Sequence, residues 1–335
     1  MAKPDLPTPI SHLPILIAGP TAVGKSQIAL QLAEQLGGEI ISADSMQVYR
    51  GLDIGTAKPS PTERARVPHH LIDICDLTET FDAAQFTRLA RRAAAEIQLR
   101  GRVPFLCGGT GLYFKAFLAG LGETPPADLN LRARLEATPL EKLLEELRER
   151  DPVAFEKIDK KNPRRVIRAV EVIRQTGKTL SSQRADWNPL HSSPASRAEA
   201  SARRPVTRHF YCFTRVPADL HARINARVDA MFRRGLVDET RELLKRGLAE
   251  NKTAMQAIGY RQVVEHLRGE RSLAETIELV KTRTRQFAKR QLTWFRAQKN
   301  LEWIELKPGE SPENLADHFC ETCQRPGQRA SAGVS

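Results

Sequence analysis

The chain has 335 residues, 41% of them hydrophobic, enough for one large domain or two smaller ones, and its 52 Lys and Arg against 40 Asp and Glu give a net charge of +12. So basic a balance points to a polyanionic partner, most often nucleic acid, with a merely soluble basic enzyme as the plainer reading. Five scattered cysteines argue against a disulfide framework, the Pro-rich first thirteen residues lack a signal-peptide core, and no apolar run approaches the ~18 residues of a membrane span, so a cytoplasmic protein without membrane attachment is expected.

In chain order, residues 1–12 read as a flexible tail. Ile15-Leu16-Ile17-Ala18 has strand character, and residues 27–36 have helical character. Between them, Gly19, Pro20, Thr21, Ala22, Val23, Gly24, Lys25 and Ser26 fit G-x-x-x-x-G-K-[ST]. Strand, glycine loop and helix are the setting a phosphate-cradling P-loop requires. "EIISAD", residues 39–44, predicts a second strand ending in an acid, and residues 70–75 a third. Ala83, Phe86, Leu89, Ala90, Ala93 and Ile97 recur at helical spacing, which predicts a helix over 82–99. Residues 103–107 read as a buried strand, broken by Gly108-Gly109. Strands alternating with helices predict an α/β core with a mostly parallel sheet, its first part spanning 13–122.

The rhythm changes at the breaker-rich "GETPPADLNLR". Charged helical patterns over 129–175 predict a helical insertion domain at 123–188, followed by a Ser/Ala/Pro/Arg linker at 189–206. The second part of the core, 207–306, opens with a strand at 209–214. Helices follow over 218–232, 237–246 and 273–299, then a last short strand at 302–306. Residues 307–335 form a polar tail, expected to be partly disordered. It holds His318 and the C-x-x-C pair Cys320/Cys323, but no second pair lies near to complete a zinc site, so ordinary thiols are expected.

Three constellations can carry chemistry. P-loop amides at a helix N-terminus bind anions without side chains; Lys25 adds positive charge, and Ser26 can ligate Mg²⁺. Asp44 stands at the carboxyl end of its strand, where ligands of open α/β sheets bind, and suits a base; its plainer reading is a turn or helix cap. In "CGGTGLYFKAF", Gly108, Gly109 and Gly111 allow close backbone approach and Thr110 offers a hydroxyl, or an N-cap. No apolar strand ends in the carboxylate of a motor-type NTPase. Basic residues cluster at Arg164, Arg165 and Arg168, at Arg223 and Arg227, and at Lys281, Arg283, Arg285, Lys289, Arg290 and Arg296 with Trp294 and Phe295 interleaved. Such runs are usually solvated faces, but three on a chain of this charge favour nucleic-acid backbone contacts.

The segments "GPTAVGKS", "ISADSMQVYRGLDIGTAKP", "HHLID", "GGTGLYFKA", "NPRRVIRAVEV", "AIGYRQ" and "AKRQLTWFR", in this order from about residue 13 to residue 295, resemble the bacterial tRNA dimethylallyltransferases, the adenosine tRNA isopentenyltransferases. The long linker and the tails depart from that pattern. The lone Cys320/Cys323 pair does not make the zinc finger of the eukaryotic relatives.

The resemblance implies a P-loop, nucleotide-kinase-like core with a helical insertion that grips the tRNA anticodon stem-loop. It implies that the P-loop holds the diphosphate of dimethylallyl diphosphate, with Mg²⁺, and not a triphosphate to be hydrolysed. The prenyl group would pass to the exocyclic amine of the adenosine immediately 3′ of the anticodon, flipped out of its stack. Asp44 would be the general base. Thr110 would contact the target nucleotide and the transferring group. Lys25 and one of Arg223 and Arg227 would steady the departing diphosphate. tRNA contacts would come from Asp44, Ser45, Met46, Gln47 and Thr110, and from Arg132, Arg164, Arg165, Val166, Ile167 and Arg168 on the insertion. Gln256, Ala257, Ile258, Gly259, Tyr260, Arg261, Lys289, Arg290, Gln291 and Trp294 would complete them, in a monomeric enzyme. The alternatives are a P-loop kinase of a nucleotide or small metabolite, and a non-enzymatic RNA-binding P-loop protein.

Overall fold

The computed structural model describes residues 14–121, 125–126, 128–185, 209–298 and 301–310. The chain divides into two compact units, one of Met1–Phe117 with Pro205–Ser335 and one of Leu118–Arg204. The linker expected at 189–206 and the C-x-x-C of the tail lie outside the described residues.

The first unit is built on a six-stranded sheet in which every neighbouring pair is parallel. Its strands are β1 (Ile15–Ala18), β2 (Gly38–Ala43), β3 (His69–His70), β4 (Val103–Gly108), β5 (His209–Thr214) and β6 (Glu302–Glu305), in the order β3-β2-β4-β1-β5-β6. The central strands β1, β2 and β4 are buried along their whole length. That is why they read as unbroken apolar runs, not alternations. β1 lies between β4 and β5. The chain leaves β1 towards β2 on one side and later fills β5 on the other, so the carboxyl ends of β1 and β4 border the point where strand order reverses.

The third strand is much shorter than residues 70–75. It stops at His70 because Leu71 and Asp73 take left-handed backbone angles, φ 63° and 56°. Asp73, Ile74 and Cys75 then donate their N–H groups to the carbonyls of Gln47 and Val48 instead of extending the sheet. Lys58 and Arg64 hold the Asp73 carboxylate in that turn.

The helices of this unit start where their capping chemistry dictates. α1 (Lys25–Gln35) opens at Gly24, whose φ of 109° only glycine adopts without strain. α2 (Pro61–Arg66) and α3 (Ala83–Leu99) begin in capping boxes at Ser60/Glu63 and Asp82/Gln85. α4 (Gly111–Ala119) follows the glycine loop after β4.

The second unit holds α5 (Leu129–Glu136), α6 (Leu140–Arg150), α7 (Pro152–Lys157), α8 (Pro163–Thr176) and α9 (Leu180–Ala185), around a core that includes Leu135, Leu143, Leu147, Val166, Val170 and Ile173. Inside it lies a charged centre. Glu171 is 0% exposed and its carboxylate meets Arg132 and Arg168, each at 2.7 Å, and the Asp128 N–H at 3.2 Å. A buried carboxylate persists only when paired in this way.

Back in the first unit come α10 (Pro217–Arg233), α11 (Leu236–Lys245), α12 (Tyr260–Leu267) and α13 (Leu273–Arg296), the last opened by a Ser272/Glu275 capping box. α12 is too short for its periodicity to show in the sequence. Its place is decided by Tyr260, fully buried, whose hydroxyl donates to Glu239 at 2.6 Å and accepts the Gly55 N–H at 3.1 Å.

Candidate active site

The P-loop turns sharply between β1 and α1, and its backbone is held by its own lysine and by two arginines from distant elements. Lys25 Nζ donates to the Pro20 carbonyl at 3.2 Å, Arg223 Nε to the Ala22 carbonyl at 3.0 Å, and Arg215 Nε to the Val23 carbonyl at 2.8 Å. Ala22 sits at φ 64°, unfavourable for a residue with a Cβ, and the arginine contact pins it there. With these carbonyls engaged by side chains, the first N–H groups of α1, which have no intrahelical partners, remain as anion donors at the helix's positive end. Arg215 directly follows β5 and is 7% exposed. It also pairs with Asp219 at 2.8 Å and donates to the Lys307 carbonyl at 3.3 Å. The sequence reading missed it. A charged residue at the carboxyl end of a strand beside the P-loop strand was the available signal.

Asp44 leaves the end of β2 and one carboxylate oxygen, Oδ1, accepts the N–H groups of Met46 at 2.8 Å and Gln47 at 3.4 Å. It is therefore a turn cap in fact; the base role needs only the other oxygen. Thr110 is drawn to the same place. Its N–H donates to the Ala43 carbonyl and its hydroxyl accepts the Ser45 N–H at 3.3 Å. Asp44, Thr110 and the P-loop thus stand at the carboxyl ends of the neighbouring strands β2, β4 and β1.

The charges in this crevice act on one another. Burial pulls the Lys25 ammonium below its usual range and Arg227 adds to the pull, while Asp44 counters it. Burial likewise lowers the Arg227 guanidinium and Asp44 opposes that shift. Arg223 and Arg227, four residues apart, lie on one face of α10, and the Arg223 guanidinium meets the P-loop at the Ala22 carbonyl. The thiols of Cys107 and Cys212 are pushed up by burial to about 11 and about 12, with Lys25 opposing, and stay protonated and inert at neutral pH.

Other residues singled out in the sequence have internal partners. Gln47 is tied at both ends of its amide, accepting from the Ser42 hydroxyl at 2.8 Å and donating to the Thr56 and Ala57 carbonyls. Gln291 is buried between the P-loop and the glycine loop. A Cβ on Gly111 would lie 2.1 Å from the ring of Trp294, so that glycine admits the protein's own helix, not a ligand. Val166, Ala257, Gly259 and Tyr260 are buried, and Arg132 and Arg168 neutralise Glu171. Arg164 and Arg165 on the second unit, and Gln256, Arg261, Lys289 and Arg290 on the first, are exposed; Met46, Ile167 and Ile258 are partly so.

Mg²⁺ fits the donor set. Among the described residues no cluster of three His, Cys, Asp or Glu side chains forms an all-protein cage. The Ser26 hydroxyl at the start of α1 would supply one neutral ligand to an ion that keeps water and substrate phosphate oxygens around it.

Comparison with known proteins places the chain in a family. The sequence profile described as IPP transferase matches residues 47–298. The tRNA dimethylallyltransferase 1 of Trichlorobacter lovleyi is 44% identical over 306 residues, covering 90% of this chain and 95% of that protein. The tRNA dimethylallyltransferase of Geobacter metallireducens is 45% identical over 304 residues, 88% of this chain and 93% of its own. The crystal structure of the tRNA isopentenylpyrophosphate transferase of Bacillus halodurans superposes with a TM-score of 0.65 at 39% identity, covering 92% of this chain and 96% of that one. A eukaryotic dimethylallyltransferase captured acting on tRNA gives 0.72 at 27% identity, covering 95% and 81%. The chain therefore belongs to the IPP transferase family.

Proposed function

We propose that this protein transfers the dimethylallyl group of dimethylallyl diphosphate to the N6 amine of the adenosine immediately 3′ of the anticodon in tRNA, releasing diphosphate. The observation that carries the reading is the convergence of the P-loop, Asp44 and Thr110 on one crevice. A phosphate cradle beside a carboxylate suits a reaction whose leaving group is a diphosphate and whose nucleophile must lose a proton.

The N6 lone pair forms the new bond to the allylic carbon. The carbon–oxygen bond breaks and its electron pair departs with the diphosphate. The amine proton goes to the Asp44 carboxylate, by its oxygen not engaged by Met46 and Gln47. The exocyclic amine is a weak nucleophile, so alignment and a base both help it. Thr110 would contact the flipped adenine and the donor. Charge collecting on the diphosphate is met by the P-loop amides, Lys25, Arg223 and Arg227. Mg²⁺, held by Ser26 and diphosphate oxygens, would supply further neutralisation of that leaving group. Arg164 and Arg165 offer exposed charge for the phosphates of the anticodon stem-loop. No helix among the described residues is long and apolar enough to cross a membrane, and a cytoplasmic location fits the substrate.

The test is mass spectrometry of tRNA nucleosides after incubation with dimethylallyl diphosphate and Mg²⁺. A C5H8 gain on adenosine supports the reading. Transfer of phosphate from ATP to an acceptor, or tRNA binding with no modified adenosine, overturns it.

A further inference from the structure

α13 reaches the carboxyl end of the sheet with the side chain of Gln291, which is 8% exposed. Its carboxamide oxygen accepts the Thr21 N–H at 2.9 Å and its nitrogen donates to the Gly109 carbonyl at 2.9 Å. One partner is an obligate donor and the other an obligate acceptor, so the amide has a single orientation. A Cβ on Gly109 would lie 2.1 Å from Gln291 Nε2. Residue 109 must therefore be glycine for the carboxamide to lie here. The two loops so joined are the P-loop and the segment that carries Thr110, on β1 and β4, which flank the point where strand order reverses.

We propose that Gln291 is a positioning residue that sets the separation between the donor diphosphate site and the Thr110 side of the acceptor site. Its amide is committed to the backbone of both loops, and α13 acts as the rigid bar that carries it. A shift of about 1 Å between reacting groups can cost on the order of 100-fold in rate. The inference rests on the prenyl-transfer reading, which the unaltered enzyme tests by itself; the variants test only Gln291.

The decisive variant is Gln291→Glu. It keeps the shape and the acceptor for Thr21 but sets a carboxylate oxygen against the Gly109 carbonyl. Rapid-quench single turnover with saturating dimethylallyl diphosphate and an anticodon stem-loop RNA, read below the variant's own unfolding transition because the buried carboxylate costs stability, should show a rate fall of about 10- to 100-fold at neutral pH, with RNA Kd within about twofold. A protonated glutamate restores a donor to Gly109, and burial raises its pKa. The ratio of variant to wild-type rate should therefore rise as pH falls. Should the glutamate variant not fold, Gln291→Met, which makes neither bond, carries the test: it should show the same fall without recovery at low pH. An unchanged single-turnover rate in the folded variant overturns the proposal. So does a loss of RNA affinity with the saturated rate intact, which would make Gln291 an RNA contact.

Discussion

Replacing Asp44 with Asn separates its two roles. The carboxylate's Oδ1 caps the turn through Met46 and Gln47. Asn keeps an acceptor oxygen at that place, and the two residues cap about equally well, so stability should change by less than about 0.5 kcal/mol. Asp44→Ala loses both bonds and should cost about 1 kcal/mol. Basicity is lost in either variant. General-base assistance is typically worth about 10²- to 10⁴-fold, or about 3–5 kcal/mol of barrier, and both variants should lose rate of that order. Asp44 also supports the charge of Lys25 and Arg227. Its neutralisation should weaken donor binding as well, so the measurement needs saturating donor and a separate donor titration. The assay is rapid-quench single turnover, paired with RNA binding, where less than about a tenfold change is expected because one interaction among many is altered. A rate in Asp44→Asn equal to wild type refutes the base role and leaves Asp44 as the turn cap alone.

Replacing Arg164 and Arg165 together with Ala should lower the slope of log affinity for tRNA against log salt by roughly 0.7 to 0.9 for each phosphate that is no longer neutralised; an unchanged slope removes them from the interface. Arg215→Met should weaken dimethylallyl diphosphate binding in a calorimetric titration and destabilise the fold by about 3 kcal/mol, since Asp219 and the Val23 carbonyl lose their buried partner. Full donor affinity would show that the P-loop holds its shape without this brace. Glu39 is 3% exposed; burial alone would raise its carboxyl, but hydrogen bonds from Arg100 and His70 outweigh that and hold it below its usual value. A folded pKa below the unfolded one gives stability that is present above the unfolded pKa and lost as pH falls through the folded one. Glu39→Gln should thus lower stability at neutral pH by about 1.5–3 kcal/mol, and denaturant titrations at progressively lower pH should find the difference closing.

What the sequence by itself determined was local in the chain. The P-loop was legible because strand, glycine turn and helix follow one another within residues 15–35, and each is specified by its own residues. The helix over 82–99 was legible through its periodicity, and α13 as a long helical stretch beginning at residue 273; their capping boxes appear only in the structure. Asp44 and Thr110 were legible as polar residues at strand ends, a position that points to the ligand crevice of any open parallel sheet. Short elements were not: α12 spans Tyr260–Leu267, and β3 ends after His70 because backbone angles and a lysine–aspartate pair, not hydrophobic pattern, decide its length. Tertiary structure alone decided which polar residues face inward. Arg215 meets Val23, and Gln291 meets Thr21 and Gly109, across most of the length of the chain. The same holds for the glycines after β4, whose missing side chains make room for Gln291 and Trp294. Arg132 and Arg168, which the resemblance assigned to tRNA contact, neutralise the buried Glu171. The physical reason is common to all of these: a polar group taken out of water must find a partner, and where that partner lies is set by the packing of the whole domain and not by the residue's neighbours in sequence.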